Sequence, residues 1–282
     1  MSSLLIGTIA LIITVFLSVA GVPIFISLGS VGIMGLITVT GLDSTLGIIS
    51  SLPFSILATY DLAIVPLFFV MGEVANQAGI ASEGYRAAYK LMGGTRGGLA
   101  MATTLGSGIS SACMGSSAAN AALFTRIALP EMLKFKYDKS FSLGCIASVG
   151  TFAVMIPPSI GFVLYGIITQ ESIGKLLVAG IFPGLITVIV YMMGISILCR
   201  LKPEIAPLSE IKYSLGEKLR SIMGLWGILL LFSIVMGGMY AGFFTPFAGA
   251  AIGASGAFVI AMSKRKLSIS SIKDMALNIM RA

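Results

Sequence analysis

The chain has 282 residues, of which 57% are hydrophobic and 10% charged, with a net charge of +7 and a mean hydropathy of +1.03. A soluble protein has about a quarter of its residues charged, so this composition excludes a soluble domain and indicates a polytopic membrane protein. In such a chain the excess of positive charge reports topology, and nucleic-acid binding is a poor explanation for it.

The absence of histidine excludes Ser-His dyads and triads, His general bases and His-based zinc sites together. Cys113, Cys145 and Cys199 each stand alone in or beside an apolar run. They are expected to be small packing residues, not disulfides or metal ligands.

In chain order, the N-terminus shows no basic n-region and no clear cleavage site, so Leu4 onward is expected to be a retained span. Leu4 to Gly41 is an almost unbroken apolar run of 38 residues. A span needs about 20 residues, so this run predicts two spans separated near Gly21-Val22-Pro23. Leu42 to Tyr60 alternates polar and apolar residues and predicts an interfacial amphipathic helix. Leu62 to Gly79 is the next span, with Pro66 inside it and Glu73 and Asn76 near its end. Ala81 to Gly94 is amphipathic.

Gly97 to Ala121 has an unusual composition. Of its 25 residues, 19 are Gly, Ala, Ser, Thr or Cys, and none is charged. Two readings compete: two half-helices meeting at a polar tip inside the membrane, or one helix packed closely through small residues. The stretch runs on through Arg126 to Pro130-Glu131, and Lys134, Lys136 and Lys139 mark a water-facing loop. Ser140 to Ile156 re-enters the membrane and stops at Pro157-Pro158-Ser159. Two successive prolines cannot sit inside a helix without losing backbone bonds, so a second interruption is expected there. Leu176 to Leu198 is a span with Pro183 in it. Arg200 to Arg220 is a charged linker in which Ser214 and Glu217 form a capping box. Spans at Ile222–Tyr240 and Phe244–Met262 precede a last amphipathic segment reaching Ala282.

Charge placement discriminates between the two readings of Gly97–Pro130. If that segment dips in and returns, residues 80–139, 200–220 and 264–282 share one face and carry seven, five and five Lys/Arg, or 17 of 18. A full crossing would split them. The positive-inside rule therefore favours a re-entrant helical hairpin at about 97–130, followed by a broken helix at about 140–168.

Two spans followed by an amphipathic segment occur at 4–60 and again at 222–282, and the charge layout gives the two groups opposite orientations. Inverted repeats of this kind characterise secondary transporters with sites at broken helices. The domain organisation expected is scaffold spans and an arm helix at 1–60, a first transport-domain repeat at 61–200, a cytoplasmic linker at 201–221 and the start of a second repeat at 222–282. A second hairpin and a second broken helix are expected of a complete pair of repeats, and neither lies in these 282 residues.

Broken helices leave backbone groups without partners. The end of the first half-helix, around Ser110–Ala112, offers carbonyls and a partial negative charge suited to Na⁺. The second, starting near Ser116, offers N–H groups suited to a carboxylate. Ser110, Ser111, Ser116, Ser117 and Asn120 add neutral oxygens or donors, and Gly150-Thr151 with Pro157-Pro158-Ser159 could supply the opposing face. The competing role for each hydroxyl is to satisfy its own helix backbone. Asp61 has no Gly-x-Gly-Asp partner and so excludes an intramembrane aspartyl protease. Glu73 is a candidate gating carboxylate, with a plain interfacial position as the alternative.

Leu62-Ala-Ile-Val-Pro66-Leu-Phe-Phe-Val-Met-Gly72, the GSGISSACMGSSAANAA tip, Ile156-Pro-Pro-Ser-Ile-Gly-Phe162 and Ala179-Gly-Ile-Phe-Pro-Gly184 together resemble the large membrane subunit of TRAP transporters, the tripartite ATP-independent periplasmic systems. The resemblance extends over essentially the whole chain. It implies an all-α, inverted-repeat, elevator-type fold like that of the ion transporter superfamily, with the second repeat incomplete here. It also implies a Na⁺-coupled permease for organic acids in the bacterial inner membrane, with no cofactor beyond the coupling ion. Its partners would be a small four-helix membrane subunit and a periplasmic substrate-binding protein.

Carried over by position, Ser110, Ser111, Gly115, Ser116, Ser117 and Asn120 would be hairpin site residues, and Gly150, Thr151, Pro157, Pro158 and Ser159 would form the adjoining broken helix. Na⁺ is expected at Ser110, Ser111, Gly150 and Thr151. Two departures stand out: Thr245-Pro246-Phe247-Ala248-Gly249 lacks the acid usual at this point, and the chain is shorter than family members. The alternative function is a structural subunit or a transport-incompetent fragment of such a complex.

Overall fold

The computed structural model describes residues 3–207, 213–267 and 269–281. Among the described residues every regular element is helical. The chain forms two compact units, Met1–Thr59 and Tyr60–Ala282.

The first unit contains α1 (Ser3–Val19), α2 (Ile24–Thr40) and α3 (Leu42–Leu57). The break falls at the expected place. Gly21 adopts a φ of 90°, and Pro23, which fixes its own φ and lacks an N–H, opens α2. Gly41, at φ 84°, both ends α2 and caps α3. Of α2 only Ser27 and Val31 are buried, and of α3 only Thr45. Leu4, Phe16, Phe25 and Phe54 point outward, a pattern suited to lipid.

The second unit begins with a 3₁₀ turn at Tyr60–Ala63 and continues through α4 (Ile64–Gln77), α5 (Ile80–Met92), α6 (Gly98–Met114), α7 (Ser117–Ile127) and α8 (Leu129–Lys134). It goes on through α9 (Lys139–Gly150), α10 (Phe152–Met155), α11 (Ile160–Thr169) and α12 (Ile173–Leu201). After the linker come α13 (Leu215–Met223), α14 (Trp226–Phe232), a π-turn at Ser233–Gly237, α15 (Gly238–Tyr240), α16 (Pro246–Ser263) and α17 (Ile269–Arg281). Two helices, α12 and α16, are each long and apolar enough to cross a membrane, and the bent pairs at 139–169 and 215–240 each qualify when taken together.

The capping box at Ser214–Glu217 opens the short helix α13, and the span expected over Ile222–Tyr240 follows it from Trp226 to Tyr240. The two helices meet at a 43° bend at Gly224–Leu225, and the span widens to π geometry over Ser233–Gly237, a feature the sequence does not predict. The bend after α13 falls where Glu217, Lys218 and Arg220 give way to apolar residues, while the uniformly apolar run beyond it carries no mark of the π geometry. The capping box at the start of α13 forms as expected: Glu217 N donates to Ser214 Oγ at 3.3 Å, and Ser214 N donates to Glu217 Oε2 at 2.9 Å.

Two hydrophobic clusters make up the core of this unit. One gathers Phe68, Met71, Val163, Leu177, Ile228 and Ala257 from α4, α11, α12, α14 and α16. The other gathers Tyr85, Leu99, Phe124, Ile146, Phe152 and Val188 from α5, α6, α7, α9, α10 and α12. Helix α6 contributes to both, and fourteen of its 17 residues are buried. Its small side chains permit this. A Cβ on Gly106 would lie 2.9 Å from Tyr85 Cα, so α5 and α6 meet backbone to backbone. A Cβ on Gly72 would lie 3.0 Å from Cys113 O, which brings α4 onto the last turn of α6.

Candidate functional site

The polar centre is built where α6 ends. Gly115 takes the left-handed φ of 56°, favoured by a residue without a Cβ, and Ser116 is extended at φ −121°. Ser116 N donates to Met114 O at 2.6 Å and its Oγ receives Ala119 N at 3.5 Å, capping α7. The chain is thus two helices joined by a two-residue break, with the C-terminal carbonyls of one and the N-terminal N–H groups of the other meeting at one place.

A second break lies against the first. Helix α10 ends at Met155, and Pro157-Pro158, joined by a cis peptide, leads to Ser159 at the start of α11. Ser159 donates through Oγ to Val154 O and accepts from Phe162 N at 3.4 Å, closing both ends of the break with one hydroxyl. A Cβ on Gly115 would come within 3.3 Å of Pro158 O. A Cβ on Gly150 would come within 2.9 Å of the Ala121 Cβ and 3.3 Å of Ser117 O. Gly115, Ser117, Gly150 and Pro158 are therefore in close approach.

Behind the break is a closed hydrogen-bonded group. Asn120 Nδ2 donates to Ser107 Oγ at 2.8 Å and to Ser111 Oγ at 3.2 Å. Ser107 Oγ donates to Val149 O at 2.8 Å, and Ser111 Oγ to Ser107 O at 2.8 Å. Both hydroxyl protons are thereby committed, which fixes the amide with its nitrogen toward the serines. Asn120 Oδ1 is then left buried without a hydrogen-bond partner. An unpaired buried carbonyl oxygen costs about 1–3 kcal/mol unless something ligates it.

The remaining expected residues divide. Ser110 Oγ turns the other way, bonding Gly106 O at 2.7 Å and Ala81 O at 3.4 Å, so it faces α5. Thr151 is exposed and bonds Ser148 O at 2.7 Å. In this arrangement neither hydroxyl turns toward Asn120. Ser107, not among the residues singled out from the sequence, joins three elements. Its signal was its position four residues before Ser111, on the same face of α6.

The outer face of α7 lines an open cavity of about 460 Å³ with α4 and α17, bounded by Gly72, Glu73, Asn76, Ser116, Arg126 and Asn278 among others. Asn278 Nδ2 donates to Glu73 Oε1 at 2.8 Å. Among the described residues no cluster of His, Cys, Asp or Glu could hold a metal ion through charged ligands.

Residues 11–282 match the family model of the tripartite ATP-independent periplasmic transporter, DctM component. The chain is 36% identical over 220 residues to the C4-dicarboxylate TRAP transporter large permease protein DctM of Pseudomonas aeruginosa, covering 77% of this chain and 51% of that protein. It is 34% identical over 253 residues to the protein of the same name from Vibrio cholerae, covering 89% and 54%. It is 31% identical over 249 residues to the ectoine TRAP transporter large permease protein TeaC of Halomonas elongata, covering 86% and 56%. The chain spans about half the length of the curated relatives it matches.

Proposed function

Because the chain belongs to the DctM family of tripartite ATP-independent periplasmic transporter components, we propose that it bears the ion and substrate site of a Na⁺-coupled permease for organic acids. It is a multi-pass protein of the bacterial inner membrane. Its role is transport and not catalysis. A periplasmic binding protein delivers the substrate, a small four-helix membrane subunit completes the membrane part, and alternating access is of the elevator type.

The observation that carries this reading is the pair of helix breaks, Gly115–Ser116 and Ile156–Ser159, in contact beside the buried Ser107–Ser111–Asn120 group. Neutral oxygens suit a readily released monovalent cation better than a divalent one. Asn120 Oδ1 supplies an orphaned oxygen, and the last carbonyls of α6 add the negative end of a helix dipole. Ser111, Asn120, the α6 carbonyls and the backbone near Gly150 would hold Na⁺. Ser110 and Thr151 would join only if their hydroxyls leave their present partners. Bound Na⁺ supplies the charge that favours a nearby carboxylate. This chain's own part is to present the α7 N–H groups and the Ser116 hydroxyl to that carboxylate.

The test is uptake into proteoliposomes containing this chain, the small membrane subunit and the binding protein. Accumulation driven by a Na⁺ gradient, lost in the Ser116→Ala, Ser117→Ala double variant, is the expected result. Normal Na⁺-dependent uptake by that variant would overturn the site. Assembly of the three components without uptake would support a structural subunit instead.

A further inference from the structure

An open groove of about 420 Å³ lies between α9 and α12. Two contacts fix how these helices lie. Asp138 N, just before α9, donates to Ile205 O, just after α12, at 2.9 Å. The Phe152 ring, just beyond α9, meets the Tyr191 ring edge-on at 5.2 Å. The helices are therefore antiparallel, and the groove runs from Phe141 and Leu198 at one end to Ser148 and Tyr191 at the other. Gly144 and Gly194 form its middle, and a Cβ on either would have nothing within 4 Å. In a molecule packed as closely as the α5–α6 contact, that is unfilled space. The walls are mostly apolar, and the Ser148 hydroxyl is already bonded to Gly144 O at 2.8 Å. None of these residues belongs to the two helix breaks.

The end at Phe141 and Leu198 is the charged one. Lys139 is the first residue of α9 and Lys202 caps the end of α12, so each stands within about one helical turn of the groove, and both are exposed. Two acids are near. The Asp138 carboxylate is occupied in capping α9, accepting from Phe141 N at 2.7 Å, and Glu204 lies past Lys202 in a 3₁₀ turn. Lys136 and Arg200, also exposed, keep that end net positive. From this pairing of an apolar groove with a basic end, we infer that the groove binds an anionic phospholipid. One acyl chain lies between α9 and α12, over Gly144 and Gly194, and the phosphate meets Lys139 and Lys202. A lysine suits this place because its apolar stem can lie along the groove while its ammonium reaches headgroup level. Basic pockets between membrane helices recognise anionic headgroups in the same way. A zwitterionic lipid offers the same chain without the net charge.

Native mass spectrometry of the delipidated full chain in detergent tests this, with phosphatidylglycerol and phosphatidylcholine of identical acyl chains added in turn. The first equivalent of phosphatidylglycerol is expected to bind at least about fivefold more tightly, the contribution of one lysine near an anionic headgroup. Lys139→Gln with Lys202→Gln should erase that preference and leave phosphatidylcholine binding unchanged; both side chains are exposed, so the fold is kept. Gly144→Leu with Gly194→Leu puts side chains into the open groove and should weaken both lipids together. Equal affinities in wild type, or a preference that survives the lysine changes, would overturn the inference. Full-strength binding in the glycine variant would overturn it too. So would displacement of the lipid by glycerol phosphate, which marks a headgroup site alone, or by the small membrane subunit, which gives the groove to a protein helix.

Discussion

Asn120 shows how one side chain can tie three elements together. Its amide reaches two hydroxyls of α6 from α7, and one of those hydroxyls reaches α9 through Val149 O. Replacing it with Ala removes both bonds but also the orphaned Oδ1, and Ser107 and Ser111 keep their bonds to Val149 O and Ser107 O, so the loss should be about 1 kcal/mol. Thermal unfolding in detergent would show this as a lower Tm, and the stabilisation by Na⁺ over choline should vanish with it. Retained Na⁺ stabilisation would place the ion elsewhere. The sequence pointed to Asn120 as the most polar group in a small-residue stretch, and to Ser111 beside it. It could not point to Ser107 with equal force, because the partner of Ser107 lies 42 residues away. Nor could it show that Ser110 turns to α5, since residues one apart on a helix differ by about 100° in direction.

A second residue-scale effect lies in the linker. The backbone N–H of Ser214, then its hydroxyl, bonds the Glu217 carboxylate and holds its pKa below the ordinary value. A carboxyl depressed in the folded state stabilises above its unfolded pKa, and that stability is lost as pH falls through the lower folded value. Acidification through the carboxylate range should therefore fray the start of α13 in the wild type, while Glu217→Ala, which lacks the acceptor for Ser214 N, is frayed already and changes little. Limited proteolysis across 213–223 reads the difference.

At the scale of elements, the breaks were legible and the π-turn was not. Pro23, Gly115 and the Pro157-Pro158 pair interrupt helices at the expected positions because each fixes a local backbone that a helix cannot continue. The π-turn after α14 carries no proline, and its Gly237 keeps an ordinary helical backbone, so no residue type marks it. Which glycines matter was equally hidden, since a glycine's role depends on what faces it. Gly106→Ala puts a methyl 2.9 Å from the Tyr85 backbone, which cannot yield as a flexible side chain would. Overpacking of this kind costs about 1–3 kcal/mol. Gly144 in α9 has nothing within 4 Å, so Gly144→Ala should be neutral or stabilise by roughly 0.5–1 kcal/mol through helix propensity. Paired thermal unfolding curves decide it: equal shifts in the two variants would show that α5 and α6 are less closely packed than described.

For the molecule as a whole, sequence and structure meet in the placement of positive charge. The start of α6 and the loop after α8 are neighbours, with Leu99 N donating to Tyr137 Oη at 3.4 Å. Asp138 N donates to Ile205 O at 2.9 Å, and Tyr89 packs against Tyr213 at 5.8 Å, so the linker joins the same end. A Cβ on Gly97 would lie 2.6 Å from Cys199 Sγ, which places the end of α12 at this end too. Lys264 instead pairs with Glu83 in the first turn of α5, level with Ile109 and Ser110 toward the far end of α6. The basic regions at 80–139 and 200–220 thus share one end of the Tyr60–Ala282 unit, to which the chain returns after α8, whereas the contacts of Lys264 and Asn278 lie nearer the end of α6, unlike the layout expected from the sequence. A segment with this path needs no full crossing, and its polar tip is kept among helices, where buried breaks are tolerated. Cysteines introduced at Arg96, Lys136 and Lys175 test this directly, because all three sites are exposed while the native Cys113, Cys145 and Cys199 are buried. Impermeant maleimide on oriented vesicles should label positions 96 and 136 from the cytoplasmic side and position 175 from the opposite side. Labelling of 96 and 136 from different sides would mean that α6 and α7 together cross the membrane, and the two helix breaks would then require another partner.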